Sequence, residues 1–256
     1  MLIESLQNEK IKHLTKLLND NRFRKKAEVF CVEGKQENQR ALTFGFQPVE
    51  YFICEDLFQD TSPDKGRIHK ITAKVYKKIA YRGSSEGIIG VYQTQNLTLN
   101  RFSPKKDSTI IVVEGAEKPG NIGAILRSCE AFGIDALVIA DAKADLYNPN
   151  VIRSSVGCLF GMNVFQATNE ELYDFLKNHQ YQIFTTLMDD TTATIDQRDY
   201  TQKSAILFGT EHSGLSSFWR GKGQNTLIPM QGTIDSLNLS NAVAITCYET
   251  LRQKRK

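Results

Sequence analysis

The stretch TIIVVEGAEKPGNIGAILRSCEAFG, residues 109–133, predicts a strand that leads directly into a helix. Its first part, TIIVVE (109–114), is a β-branched run of the kind found in strands buried on both faces. A turn with glycine and proline follows, and Asn121 then stands where it could cap a helix. Apolar residues recur after it at helical spacing, namely Ile122, Ile125, Leu126, Cys129 and Phe132. Gly133 is placed to end that helix, so the stretch is typical of the repeating unit of a parallel α/β sheet.

The rest of the second half continues this alternation. Further strands are predicted at 136–140, 162–166, 181–187, 205–209 and 226–230. Helices are predicted between them at about 150–156, 169–178 and 215–220, with a final helix from about 238. This order indicates a parallel sheet with helices on both faces. Ligands bind such sheets beyond the carboxyl ends of the strands, so the loops that follow the strands are the candidate site.

A polar segment with one proline, residues 99–108, is interpreted as a linker between two domains. Residues 1–98 predict a small α/β domain, and residues 109–256 the larger parallel-sheet domain. In the first domain, strands are predicted at 29–34, 49–54 and 88–92, and helices at about 6–20, 35–44 and 72–80. A chain of 256 residues is long enough to bury a core in each domain.

The net charge of +3 is unevenly distributed along the chain. Residues 1–106 hold 19 Lys and Arg against 12 Asp and Glu, a net charge of +7. Residues 107–256 hold 13 Lys and Arg against 17 Asp and Glu, a net charge of −4. A basic front half favours a polyanionic partner. An ordinary fluctuation of charge between halves explains the same numbers, so composition alone leaves both interpretations open.

Several classes of protein lose support from the composition. The five cysteines are an odd number and widely scattered, which argues against a disulfide framework or a zinc site and favours a reducing compartment. The four histidines lack metal-ligand spacing, so no metal is expected. The N-terminus lacks the apolar core of a signal peptide, and no stretch approaches the roughly 20 apolar residues of a membrane span. A cytoplasmic protein is therefore expected.

The loops after two later strands carry an unusual density of polar residues. In GTEHSGLSS (209–217), Gly209 allows close backbone approach to a ligand, and Glu211 places a carboxylate at the sheet edge. The stretch lacks the GxGxxG pattern of dinucleotide-binding enzymes. In QGTIDSLNLSNAVAI (231–245), four polar residues crowd the start of an apolar helix: Ser236, Asn238, Ser240 and Asn241. One would suffice as a cap, so the others are expected to bond to a ligand or to neighbouring loops.

Taken in order, these stretches resemble the three signature motifs of the SpoU (TrmH-like) family of knotted RNA methyltransferases. The motifs are NIGAILRS (121–128), ILFGTEHSGLS (206–216) and LIPMQGTIDSLNLSNAVAITCYE (227–249). NPNVIRSSVGCLF (148–160) also follows the family pattern. Each motif alone is a weak or moderate signal, whereas three in order are a strong one. RFRKKAEVFCVEG (22–34) resembles, more loosely, the substrate-binding domain that often precedes this catalytic domain and is related to a ribosomal-protein fold.

The resemblance implies a function and an assembly. It implies transfer of a methyl group from S-adenosylmethionine to a ribose 2′-hydroxyl, with ribosomal RNA favoured as the substrate. It also implies a C-terminal domain tied in a deep trefoil knot, and a homodimer formed through that domain. Three alternatives stay open: a transfer-RNA ribose methyltransferase, a knotted methyltransferase that acts on a base nitrogen, and a non-catalytic RNA-binding protein on the same fold.

By the same resemblance, the catalytic arginine is Arg127. The residues that complete the catalytic set are Asn121, Glu211, Ser236 and Asn238. The cofactor is expected among Thr186, Leu187, Gly209, Ile228, Met230 and Leu237, although Ile228 and Leu237 also suit a core. An arginine side chain stays protonated at neutral pH and is a poor base. Arg127 is therefore expected to bind an RNA phosphate and orient the hydroxyl, with a transient base role left open.

A basic cluster in the first domain is expected to meet RNA phosphates. Its members are Lys10, Lys12, Lys16, Arg22, Arg24, Lys25 and Lys26. Arg153 is expected to contact RNA or a second subunit, and an ordinary surface arginine is an equal alternative. A solvated helix face would account for the cluster as well. Phosphate contacts of this kind give affinity and salt dependence rather than sequence choice.

Overall fold

A computed structural model describes residues 2–61, 63–81, 86–189, 192–210 and 213–255. The chain divides into two compact units. The first comprises Met1–Asn96 with Asp145–Gly161, and the second comprises Leu97–Ala144 with Met162–Lys256. Among the described residues, no helix is both long and apolar enough to cross a membrane.

The first unit is built on a mixed sheet. Its strands are β1 (Leu2–Ile3), β2 (Val29–Glu33), β3 (Pro48–Ile53), β4 (Arg67–Ile71) and β5 (Ile88–Gln93). They lie in the order β1-β4-β3-β5-β2. The pairs β1–β4 and β3–β4 are parallel, whereas β5 runs antiparallel to both β2 and β3. The predicted strands 29–34, 49–54 and 88–92 are confirmed, whereas the sequence patterns missed β1 and β4.

Helices cover both faces of this sheet. They are α1 (Glu9–Asn19), α2 (Asn21–Ala27), α3 (Lys35–Thr43), α4 (Ala73–Ile79), α6 (Pro149–Ser154) and α7 (Cys158–Gly161). On one face, Ile11, Leu14 and Leu17 of α1 join Val75 and Tyr76 of α4 in a core cluster with the strands. Because these residues recur every three or four positions, α1 buries one stripe and exposes the other.

Residues 145–161 belong to the first unit, although the predicted linker at 99–108 places them in the second domain. The reason is aromatic packing against Phe30 of β2. The rings of Tyr147 and Phe160 stack on it, with centroids at 4.4 and 6.0 Å. The hydroxyl of Tyr147 also accepts a hydrogen bond from the amide of Gln95 at 3.0 Å. A linear domain boundary therefore does not describe this chain.

The second unit contains the predicted parallel sheet. Its strands are β6 (Thr109–Glu114), β7 (Ala136–Ala140), β8 (Val164–Ala167), β9 (Gln182–Thr185), β10 (Ala193–Thr194), β11 (Ser204–Phe208) and β12 (Gln224–Leu227). Their order is β10-β12-β9-β11-β6-β7-β8, and every pair between neighbours is parallel. All residues of β6, β7 and β11 are buried, so the prediction of strands covered on both faces is confirmed. The helices of this unit are α5 (Pro119–Ala131), α8 (Asn169–Asn178) and α9 (Leu239–Lys254).

The start of α5 differs from the prediction. Pro119 occupies the first position of the helix, and Lys118 precedes it without a side-chain capping bond. Proline suits that position because its fixed φ is already helical and its missing N–H would have no partner there. The helix therefore begins two residues early, and the prediction that Asn121 caps it is wrong. Asn121 lies inside the first turn of the helix.

Candidate functional site

A cavity of about 480 Å³ lies beyond the carboxyl ends of β9, β11 and β12. Residues that follow β9 form one wall, and the end of β11 with the loop after it forms another. The end of β12, the loop after it and helix α9 form the rest. The lining residues are Thr186, Met188, Phe208, Gly209, Thr210, Gly214, Thr226, Leu227, Ile228, Met230, Gly232, Ile234, Asp235, Ser236, Leu237, Leu239 and Ala242. The cavity is thus where a parallel sheet is expected to bind a ligand.

Most of the predicted cofactor residues meet in this cavity. Its lining includes Thr186, Gly209, Ile228, Met230 and Leu237, and also Ser236 from the predicted catalytic set. Leu187 is the exception. Its half-buried side chain packs against the hydrophobic core of the second unit and does not line the cavity.

Close backbone approach shapes the wall at Gly209. A Cβ placed there would overlap the carbonyl group of Gly214 and the amide nitrogen of Leu215. The loop folds back because the amide of Gly214 donates to the carbonyl of Thr210 at 2.9 Å. Glycine is therefore required at position 209, because a backbone neighbour cannot move aside as a flexible side chain would. The predicted catalytic residue Glu211 lies outside the described residues.

The third motif joins the first at the start of α9. Asn238 caps this helix, and its Oδ1 accepts hydrogen bonds from the amide of Ser240 at 3.0 Å and from its hydroxyl at 2.6 Å. The Nδ2 of Asn238 lies 3.4 Å from Oδ1 of Asn121. Two predicted catalytic residues, 117 positions apart, thus meet across the sheet edge.

A second, smaller cleft of about 220 Å³ adjoins the first cavity and shares Thr210 and Leu239 with it. The residues that line it are Ala116, Glu117, Lys118, Asn121, Ile122, Lys143, Thr210, Ser213 and Leu239. At its edge, Lys143 Nζ donates to Glu117 Oε1 at 2.7 Å. This hydrogen bond and the opposite charge lower the pKa of Glu117 and raise that of Lys143. Both groups therefore remain charged near neutral pH.

Arg127 is exposed on α5 and is not among the residues that line either cavity of the same chain. Of the predicted catalytic residues, Asn121 lines the smaller cleft and Ser236 lines the larger cavity. Asn238 contacts Asn121 without lining either cavity, and Arg127 lines neither. No group of three His, Cys, Asp or Glu side chains that could hold a metal occurs within the described part of the chain.

The residues of the site that the sequence patterns missed include Thr210, Lys118 and Lys143. Thr210 directly follows Gly209 at the end of β11, so its position in the sequence was an available signal. Lys118 and Lys143 follow β6 and β7, and the rule that ligands gather at strand ends would have included them.

The basic cluster of the first unit is only partly exposed. Lys10, Lys12, Lys16, Arg22, Lys25 and Lys26 have exposed side chains. Arg24 is 3% exposed, and its guanidinium pairs with Asp145 at 2.8 Å and donates to the carbonyl of Leu17 at 2.6 Å. The prediction that Arg24 meets RNA phosphates is therefore wrong, because its position on α2 directs the side chain into the interior. Arg153 is exposed, with its guanidinium 4.2 Å from the centre of the Tyr81 ring.

Comparison with protein families assigns both parts of the chain. Residues 108–248 match the model of the SpoU rRNA methylase family, which covers more than half of the chain. The chain belongs to this family. Residues 8–90 match the model of the MRM3-like substrate-binding domain. The predicted membership of the SpoU family is therefore confirmed, together with a separate N-terminal substrate-binding domain.

Three similar proteins illustrate this SpoU membership. The 23S rRNA (uridine(2479)-2′-O)-methyltransferase of Streptomyces viridochromogenes is 32% identical over 173 residues, which are 65% of this chain and 60% of that enzyme. The crystal structure of an RNA 2′-O ribose methyltransferase has a TM-score of 0.86 at 34% identity over 100% of both chains. The SpoU methyltransferase AviRb from Streptomyces viridochromogenes, in complex with AdoMet, has a TM-score of 0.85 at 25% identity over 98% of this chain and 99% of that chain.

Proposed function

We propose that this chain is an S-adenosylmethionine-dependent methyltransferase that modifies a ribose 2′-hydroxyl of ribosomal RNA. The observation that carries the proposal is the cavity beyond β9, β11 and β12, which gathers five of the six residues expected at the cofactor. The AviRb structure, which holds AdoMet on the same fold, supports the cofactor. The similar proteins named as 23S rRNA and RNA 2′-O methyltransferases support the substrate and the ribose position.

The cavity suits S-adenosylmethionine in size and polarity. Its volume of about 480 Å³ falls within the range of roughly 300–1,000 Å³ found for small-molecule sites. Leu227, Ile228 and Leu237 provide apolar walls for an adenine ring, and Gly209 exposes backbone where a side chain would not fit. Asp235 supplies a carboxylate suited to ribose hydroxyls or the amino group. When bound, the cofactor supplies a methyl group activated by a sulfonium ion.

The smaller cleft suits the nucleotide that receives the methyl group. It adjoins the cofactor cavity through Thr210 and Leu239, so a ribose held there lies next to the cofactor. The side chains of Asn121 and Thr210 offer hydrogen-bonding groups to the sugar. Lys118 and Lys143 suit its phosphate, since cations and phosphates form strong charge-assisted hydrogen bonds.

We propose that the active site is completed by a second copy of the chain. Arg127 lines neither cavity of its own chain, which supports its action in the site of a partner. Helices α5 and α9 pack together, and α9 exposes the side chains of Ile245 and Tyr248, of which Tyr248 contacts the ring of Phe132. Burial of these side chains would stabilise a dimer. In the dimer, Arg127 holds the phosphate next to the reacting ribose and so aligns the hydroxyl.

Two further properties follow from family membership. We propose that the loops after β11 and β12 are threaded as a trefoil knot, which accounts for three chain segments meeting around one cavity. We also propose a cytoplasmic location, because ribosomal RNA is found there. Five free, buried cysteines agree with a reducing compartment.

Methyl transfer is the direct test. The purified protein is incubated with S-adenosylmethionine that carries a radiolabelled methyl group and with ribosomal RNA from cells that lack the gene. Label is expected in the RNA at a linkage that resists alkali, because a methylated 2′-hydroxyl cannot attack the neighbouring phosphate. Label in a linkage that alkali still cleaves would assign the reaction to a base instead. A parallel incubation contains transfer RNA from the same cells, and label there with none in ribosomal RNA would refute the ribosomal substrate but keep the chemistry.

A further inference from the structure

The first unit contains a groove that the proposed active site does not use. It lies between α1, α2 and α4 and has a volume of about 710 Å³. The residues that line it are Leu6, Glu9, Lys12, His13, Thr15, Lys16, Phe23, Lys78 and Ile79. All of these residues except Leu6 lie in the segment that matches a substrate-binding domain, residues 8–90. No role follows for it from the chemistry of methyl transfer.

One wall of the groove is a helical stripe. Glu9, Lys12, His13 and Lys16 recur at intervals of three and four residues and are all exposed. The opposite stripe of α1 is buried in the core, so the helix cannot rotate to hide these side chains. The stripe is therefore held in a fixed position beside the groove.

The groove carries positive charge on both sides. Lys12 and Lys16 stand on α1, and Lys78 stands on α4. Among the described residues that line the groove, Glu9 is the single acidic one, and it pairs with Lys12 at 2.9 Å. Exposed pairs of this kind contribute little to stability, so a phosphate can replace Glu9 as the partner of Lys12. The three lysines and one glutamate leave an excess of positive charge that attracts a polyanion.

The floor of the groove is apolar and aromatic. Phe23 is half-buried, and its ring forms a T-shaped pair with that of His13 at a centroid distance of 5.2 Å. Lys16 Nζ lies 5.8 Å from the centre of the Phe23 ring. Leu6 is 43% exposed, and Ile79 is half-buried beside it. A duplex would meet the lysines with its phosphates and leave this floor in contact with water. Unpaired nucleotides present base faces as well as phosphates, and such bases stack on aromatic side chains.

We propose that this groove holds an unpaired segment of the RNA substrate. Its phosphates pair with Lys12, Lys16 and Lys78, and at least one base packs on Phe23 and His13. The inference rests on the proposed function for the identity of the RNA, but binding in the groove does not depend on methyl transfer. Of the basic cluster, Lys12 and Lys16 thus bind the RNA, together with Lys78, which the sequence patterns had not placed among the RNA-binding residues.

The test uses the full-length protein and a fluorescently labelled oligouridine of about twelve nucleotides, with a hairpin duplex of equal charge for comparison. Lys16→Ala/Lys78→Ala removes two groove cations. Lys65→Ala/Lys74→Ala removes two exposed cations of the same unit that do not line the groove. The groove pair is expected to weaken oligouridine binding about tenfold, and to reduce the slope of log affinity against log salt by about 1.4. The control pair is expected to change the affinity less than about twofold.

The aromatic floor is tested separately. Phe23→Leu keeps an apolar side chain but removes the stacking face, and is expected to weaken oligouridine binding about fivefold while hairpin binding is unchanged. Phe23→Tyr is expected to restore the affinity. Thermal melts of both variants establish that the fold is retained. Equal losses in Phe23→Leu and Phe23→Tyr would overturn the stacking contact.

Two outcomes would overturn the groove as a whole. One is an equal loss of oligouridine affinity in the groove pair and the control pair, which would indicate that the overall positive charge of the unit attracts the RNA and that the groove does not bind it specifically. The other is tighter binding of polyglutamate than of oligouridine, which would assign the groove to an acidic protein. In the methylation assay, the groove pair is expected to raise KM for RNA and leave kcat unchanged at saturating RNA. Absence of methyl transfer in the unmodified protein would refute the proposed function alone, since the binding measurements would still stand.

Discussion

The side-chain nitrogen of Asn238, the cap of α9, lies 3.4 Å from the side-chain oxygen of Asn121 in the first turn of α5. This contact joins two segments that are separated by 117 positions in the chain. Asn238 therefore has two roles that use different atoms. Its Oδ1 holds the helix, and its Nδ2 faces the first motif.

The two roles of Asn238 can be separated by substitution. Asn238→Ala removes the cap and is expected to lower the free energy of unfolding by about 1 kcal/mol. Asn238→Asp keeps the capping oxygen but loses the donor to Asn121, so stability is expected to be retained while methyl transfer falls. Urea denaturation and the methylation assay measure the two effects. Full activity in Asn238→Asp would show that the contact with Asn121 is not required.

Gly209→Ala is expected to weaken cofactor binding. The added Cβ would overlap backbone atoms of Gly214 and Leu215, so the loop that lines the cavity must move. Calorimetry should show S-adenosylmethionine affinity reduced by more than about tenfold. Gly120→Ala is the matched control, because a Cβ at that position meets no atom within 4 Å and α5 tolerates alanine there. Unchanged affinity in Gly209→Ala would place the cofactor elsewhere.

Arg24→Ala is expected to reduce stability rather than RNA affinity. The guanidinium and the carboxylate of Asp145 are 3% and 7% exposed, so removal of one partner leaves a buried, unpaired charge. The expected loss in the free energy of unfolding is about 3–5 kcal/mol. Lys25→Ala, at the next position but exposed, should cost less than about 0.5 kcal/mol. Arg24→Met/Asp145→Leu is expected to recover much of the loss, and failure to do so would argue against the ion pair as the cause.

Mixing two inactive variants tests whether Arg127 acts in the site of a partner. Arg127→Ala and Asn238→Ala are each expected to be inactive as homodimers. In a heterodimer, one site regains both residues, so an equal mixture should recover up to about a quarter of the unmodified activity. No recovery, despite subunit exchange seen by native mass spectrometry, would show that one chain supplies both Arg127 and Asn238 to a site.

Stability at high pH is expected to depend on Tyr181. Burial raises the pKa of this phenol to about 12, whereas an unfolded tyrosine titrates near 10. The unfolded state therefore loses its proton first, and stability that is fully present below about pH 10 is lost as the pH rises toward 12. Tyr181→Phe removes the hydrogen bond with Ser108. It also removes the titrating phenol, so the free energy of unfolding is expected to fall less steeply with pH. Urea denaturation between pH 9 and 12 measures the slope, and identical slopes in both proteins would contradict the assignment.

The sequence by itself determined the class of fold and the location of the site. The β-branched run 109–114 predicted a strand buried on both faces, and β6 is buried throughout. The alternation of strands and helices predicted a parallel sheet, whose strand ends carry the cavity. These features were predictable because hydrophobic periodicity is a property that each segment carries in its own sequence, and the order of strands and helices along the chain indicates a parallel sheet.

Only the tertiary structure decided which individual side chains serve the site. Arg24 looks like its basic neighbours in the sequence, but its partner Asp145 lies 121 positions away and draws it into the interior. Leu187 is one residue beyond Thr186 along the chain, and yet it faces the core instead of the cavity. Burial and pairing depend on the distant segments that fold onto a residue, so a local pattern cannot determine them. The sequence thus placed the site at one sheet edge, and the packing of remote segments selected the residues that form it.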